Sequence, residues 1–316
     1  MNAYDIIKDI QSDRVKKIII DTDTCNEVDD QFAIAYALGS DKVELLSINA
    51  APFFNGNSTS YENGMRKSYL EIKRVLAAYQ DDCKIPVYKG SSTVMDATGG
   101  VPVESPAARN IIDTAMASDE PIYVLGIGAC TNIASAIALE PKIIDKIVVI
   151  WLGGTSLYTD NLGEFNLVQD YKAGQTLIDS GVTLCLCPAW NVTCVLYAKL
   201  PEFEQELKGR SPICTLLWQL INEYWHGAEK VDWYGRTIWD IAAVALLSNP
   251  ACGTFKVVPA PIFTEERVYG YDDSRHDMIY LEALDRDAVY ADAWPCIQAV
   301  ECTGRYIPRW SEPKED

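Results

Sequence analysis

Residues Lys17 to Leu38 constrain the fold more than any other stretch of the chain. Ile18, Ile19 and Ile20 form a continuous β-branched run, the pattern of a strand covered on both faces in a parallel sheet. Such a strand needs helices above and below it, so the run argues for an α/β architecture. Asp21 and Asp23 stand at its end. In extended backbone, residues two apart share a face, so both side chains project beyond the carboxyl edge of the sheet. Asp29 and Asp30 then open an apolar helix containing Phe32, Ile34 and Leu38, where acids are favoured by the free amides and the macrodipole.

Four carboxylates around one turn repel one another unless a cation sits among them, and an all-oxygen donor set suits a hard ion, Ca²⁺ or Mg²⁺. Helix capping and solvated charge would account for Asp29 or Glu27. They give no reason for acids at the end of a buried strand.

The order of these residues resembles the amino-terminal signature of the calcium-dependent nucleoside hydrolases, a strand followed by D-x-D-P-G-x-D-D and an apolar helix. Here Thr24-Cys25-Asn26-Glu27-Val28 replaces the Pro-Gly turn, which puts two more residues between Asp23 and Asp29. Further blocks follow in the family's order: Gly128 with Thr131-Asn132, Leu152-Gly153-Gly154, Glu164-Phe165-Asn166, Pro188 to Thr193, and Trp239-Asp240. The resemblance covers most of Lys17 to Leu247. Residues 248–316 are read as C-terminal strands and a closing helix of the same single domain, 1–316, because no linker, repeat or low-complexity tract divides the chain.

The resemblance implies a Ca²⁺-dependent nucleoside N-ribohydrolase with a mostly parallel sheet. It implies Asp23, Asp30, Asp240 and the Ile127 carbonyl as calcium ligands, and Asp29 as the general base. Asn55, Asn161, Glu164 and Asn166, with Asp29 and Asp240, would bind the nucleoside. Asn49 and Asn57 are alternatives to Asn55, Asp160 is one to Asn161, and Asp21 would support the site from behind. Asn191 is a further candidate for a sugar hydroxyl. Trp239 stands where many members carry histidine and matches the tryptophan of the purine-preferring branch, which implies stacking on a purine base. His226 is the alternative acid. A homo-oligomer is implied as well.

Composition narrows the partners. A formal net charge of −18 disfavours nucleic acid and anionic membranes, both held mainly through Lys and Arg, and tolerates a small neutral substrate such as the nucleoside that the resemblance implies. Residues Met1 to Asp13 contain no apolar signal segment, so the ten cysteines are expected as reduced thiols in a cytoplasmic protein. No Cys-x-x-Cys occurs and only two histidines, His226 and His276, are present, which argues against zinc. No apolar run approaches the ~20 residues of a membrane span. Two rival readings share the acidic turn: a phosphatase of the haloacid dehalogenase type, with DxD after the first strand, and a non-catalytic nucleoside or sugar binder with a structural calcium. Neither needs Glu164-Phe165-Asn166 beside Asp29-Asp30 for turnover.

Hydrophobic runs and turn signals predict strands at Val43 to Ile48, Pro86 to Tyr88, Pro121 to Ile127, Lys146 to Leu152, Val182 to Cys187, Thr254 to Val258 and Met278 to Leu284. They predict helices at Tyr61 to Tyr79, from Ser105-Pro106, at Asp170 to Ser180, Pro212 to His226 and Arg286 to Cys302.

Overall fold

The β-branched run becomes the middle of a sheet. In the computed structural model, which describes residues 2–224 and 234–305, strands β1 (Lys16–Thr22), β2 (Val43–Ala50), β3 (Val87–Lys89), β4 (Ile122–Gly126), β5 (Ile147–Leu152) and β6 (Thr183–Cys187) alternate with helices. Strands β7 (Tyr197–Lys199) and β8 (Gly235–Thr237) form a small antiparallel pair. Then follow β9 (Gly253–Pro259), a hairpin of β10 (Ile262–Phe263) and β11 (Tyr269–Gly270), and β12 (Asp277–Leu284). His226 and residues 231–233 of the expected aromatic loop lie outside the described residues.

Eight strands form one sheet in the order β3-β2-β1-β4-β5-β6-β12-β9. Every pairing is parallel except the edge pair β12 with β9. The chain therefore forms a single α/β domain with a mostly parallel sheet flanked by helices, as the isoleucine run requires. Strand order reverses between β1 and β4, so the connections leaving their carboxyl ends diverge and open a crevice there.

The core is two-layered because successive strand residues face opposite ways. Ile18 and Ile20 pack with Phe32, Ile34 and Trp294 on one side, while Ile19 packs with Ile111, Ile133 and Trp151 on the other. Two helices, Asp30–Gly39 after its first two residues and Ile241–Ser248, are apolar on every face, and both are buried over almost every residue. A helix of that composition is stable only when covered on all sides. Each is, and the two pack against one another.

Helix Tyr61–Tyr79 has the predicted limits, and the other predicted strands and helices are present with ends shifted by up to three residues, apart from the far end of the helix from Pro212, which lies outside the described residues. The sequence does not foretell the helix Ala3–Ile10, whose Ile6 and Ile10 pack at the β9–β12 edge, nor Leu200–Leu207, because eight residues carry too few turns to show a period.

Candidate active site

The carboxyl ends of β1 and β4 deliver the acidic turn to the crevice. Asp29 and Asp240 occupy the positions before the two buried helices, and Asp30 begins the first of them. Oxygens of Asp29, Asp30 and Asp240 lie within 4.8 Å of one another, and all three residues are buried. Neither Asp29 nor Asp240 makes a side-chain capping hydrogen bond, so capping does not explain them. Asp23 is 2% exposed beside them, and among the described residues its Oδ2 has no hydrogen-bond partner. The Thr22 hydroxyl donates to Asp30. Gly128 packs closely here: a Cβ there would come within 3.1 Å of Asp23 atoms.

Asp21 lies deeper. Its Oδ2 accepts from Asn132 Nδ2 at 3.1 Å, and the same Asn132 amide donates to the Ala50 carbonyl at 3.2 Å, tying β1 to β2. The Ile127 amide donates to the Asp21 carbonyl at 2.8 Å, which brings the Ile127 backbone to the wall of the same cleft.

Burial without compensating charge raises every one of these acids. Asp29 is pushed up to about 8 by burial and by the neighbouring Asp30, and Asp30 to about 7 by burial, against the Thr22 hydrogen bond. Asp23 and Asp240 rise well above the usual carboxylate range by burial, then by the charges of their acidic neighbours. Asp21 reaches about 7 through burial. Such a cluster holds its charge only when a cation shares it. The residues fit a hard ion: the donors are all oxygen, three carboxylates converge, and the Asp23 oxygen is left for a further bond.

Asp23, Asp29, Asp30 and Asp240 line a cleft of about 350 Å³, within the ~300–1,000 Å³ range of small-molecule sites. Glu164, Asn166 and Leu152 line it as well. Glu164 accepts from three backbone amides, Asn166 (2.9 Å), Leu167 (3.0 Å) and Gly154 (2.7 Å), yet burial still pushes it up to about 7. Asn166 donates to the Leu152 carbonyl at 2.9 Å, which turns its amide and leaves Oδ1 as its other polar atom. A wider groove of about 710 Å³ opens at the amino ends of β1 and β4, lined by Lys17, Ile122 and Arg109, and gathers no such cluster.

Two expected sugar contacts do not line the cleft. Asn161 is exposed, and its Oδ1 accepts from the Gly163 amide at 2.7 Å in a local turn. Asn55 sits behind the acidic turn, where its Nδ2 donates to Asn26. Asn49 is buried under the sheet's edge, accepting from Asn110 at 3.0 Å, and Asn57 donates to the Asn26 carbonyl at 2.8 Å. Asn191 has a positive φ of 72° and serves the turn before Thr193.

Among the cleft residues without a sequence-based role are Asn26, Arg236 and Trp190. Arg236 pairs with Glu27 and lies over the Tyr224 ring at 4.6 Å. Trp190 meets Trp239 edge to face, 5.5 Å between ring centroids. Trp190 follows the Pro188-Ala189 turn in an already recognised block, and that adjacency was the available signal. Asn26 and Arg236 had none: Asn26 reaches the cleft on the lengthened turn, and Arg236 is carried there on β8, where it pairs with Glu27.

The comparisons agree with this geometry. The inosine-uridine preferring nucleoside hydrolase family matches residues 18–292. The inosine-uridine preferring nucleoside hydrolase of Leishmania major is 30% identical over 278 residues, 78% of this chain and 83% of that protein. The pyrimidine-specific ribonucleoside hydrolase RihB of Escherichia coli is 31% identical over 195 residues, 54% of this chain and 58% of that protein. A plant nucleoside hydrolase structure superposes with a TM-score of 0.74 at 19% identity, covering 90% of this chain and 99% of that one. A phosphatase or an inert binder is thereby set aside: with its acidic cluster at the β1–β4 crevice, the chain belongs to the inosine-uridine preferring nucleoside hydrolase family and is a hydrolase of the nucleoside N-glycosidic bond.

Proposed function

We propose that this hydrolase is a calcium-dependent ribonucleoside hydrolase that prefers purine nucleosides. The observation that carries the metal is the convergence of Asp29, Asp30 and Asp240 within 4.8 Å. Asp23, Asp30, Asp240 and the Ile127 carbonyl would hold the ion. When bound, calcium would neutralise these acids and acidify a water ligand. Asp29 accepts the proton of the attacking water as general base; it begins a helix without capping it, so its carboxylate is available. Glu164 and Asn166, which line the same cleft, would hold the sugar, and Asp21, tied through Asn132 to β2, would steady β1.

Trp239 is half-buried on the cleft wall and braced by Trp190. An electron-rich indole favours a leaving base that is gaining positive charge. A purine takes that charge as it is protonated at N7 from solvent, and its two rings overlap an indole more fully than one ring does. The two relatives are named for inosine-uridine and for pyrimidine preference, so the support for a purine comes from the aromatic wall and not from relatedness. The test is a reducing-sugar assay over inosine, guanosine, cytidine and uridine with and without a chelator. Ribose release that is faster from purines and lost on chelation is the expected outcome; full activity after exhaustive chelation, or uridine turned over as fast as inosine, overturns the corresponding half.

A further inference from the structure

The lengthened turn places a new amide on the cleft. Asn26 lines the wall beside Asp23 and Asp30 and is 8% exposed. Its backbone is pinned from both sides: its amide donates to the Asp23 carbonyl at 2.7 Å, and its carbonyl accepts from Asn57 Nδ2 at 2.8 Å.

The orientation of its side chain follows from a relay that starts with a backbone amide. The Asn57 N–H donates to Asn55 Oδ1 at 2.8 Å, and a backbone amide can only donate. Asn55 is thereby fixed with Nδ2 turned away from Asn57, and that Nδ2 donates to Asn26. The atom of Asn26 that receives it must be Oδ1. Its acceptor is thus used behind the turn, and among the described residues its Nδ2 donates no hydrogen bond. With Oδ1 engaged by Asn55, a side chain on the cleft wall keeps both N–H donors of Nδ2 for a ligand.

We propose that Asn26 contacts the substrate, donating from Nδ2 to a ribose hydroxyl oxygen, with Asn55 and Asn57 as positioning residues that hold its amide in register. The same cleft also carries acceptors, the Glu164 carboxylate and Asn166 Oδ1. A sugar hydroxyl donates and accepts at once, so the Asn26 donor complements these acceptors. This assignment rests on the reading that the ribose lies in this cleft.

The test compares wild type with Asn26→Ala, Asn26→Ser and Asn55→Leu on inosine and on its 2′-, 3′- and 5′-deoxy analogues, with thermal unfolding of each variant recorded alongside. Asn26→Ala is expected to lose about ten- to hundredfold in kcat/KM on inosine and little on the one analogue that lacks the contacted hydroxyl. Asn55→Leu, which frees the amide to rotate, should show the same analogue dependence at smaller amplitude, whereas a merely structural defect would lower all four substrates alike. An Asn26→Ala variant that folds and keeps wild-type kcat/KM, or loses the same factor on every analogue, overturns the proposal; if Asn26→Ala does not fold, Asn26→Ser gives the same readout. Wild type that does not distinguish inosine from any deoxy analogue would instead overturn the placement of ribose in this cleft.

Discussion

At the scale of single residues, the site depends on acids that stand at helix starts without serving them. Asp29 and Asp240 precede two buried helices yet make no side-chain cap, forgoing the ~1 kcal/mol such a cap contributes. Asp30→Ala and Asp240→Ala are expected to abolish calcium binding in a calorimetric titration and to lower turnover by orders of magnitude. Asp29→Asn should cut kcat by about 10²–10⁴-fold, the worth of a general base, while calcium still binds; calcium binding lost together with activity would make Asp29 a ligand instead. Trp239→Ala should reduce kcat on inosine more than on uridine, since only the purine gains from the wide stacking surface. An unchanged purine-to-pyrimidine ratio in the steady-state assay would show that Trp239 only packs.

At the scale of elements, the two extra residues between Asp23 and Asp29 raise the question of what holds a longer turn still. The answer lies partly in the helix Tyr61–Tyr79. Gln31 Nε2 donates to the Thr24 carbonyl at 2.7 Å and to Glu71 at 3.1 Å, and Glu71 in turn receives the Arg74 guanidinium at 2.8 Å. Glu71 and Arg74 are nearly inaccessible, at 5% and 6% exposure. Removing one partner of a buried pair strands the other, so Glu71→Ala should cost about 3 kcal/mol in urea unfolding. It should also weaken calcium binding, because the turn that presents Asp23 loses its rear support. A variant with unchanged stability would show that this pair is not what holds the turn.

At the scale of the whole molecule, the acids are linked to stability. Asp21 and Asp30 hold protons in the folded state up to about pH 7 and Asp29 up to about 8, whereas in the unfolded chain they release them near the ordinary ~3.9. The folded state therefore binds more protons between those values, and unfolding free energy falls as pH rises from about 4 to 8. Chelated protein should melt at a higher temperature at pH 5 than at pH 8, and added calcium should raise the pH 8 value most. A melting temperature of the chelated protein that rises with pH would contradict the clustering. Much of this was legible beforehand: three isoleucines demand a doubly covered strand, and Asp21, Asp23, Asp29 and Asp30 lie too close along the chain to be separated by folding. Glu164-Phe165-Asn166 and Trp239-Asp240 were found as motifs, because their local spacing is written in the chain. What only the tertiary structure decided are the contacts between distant segments. Asp240 meets Asp30 because two predominantly apolar helices bury one another; Asn55 lies behind Asn26, to which its amide donates. Arg236 reaches Glu27 across 209 positions of sequence. Local pattern determines which residues form a strand, a turn or a helix start, since those choices are made by neighbours; which amide finally faces the cleft is settled by packing, to which each segment contributes only one surface.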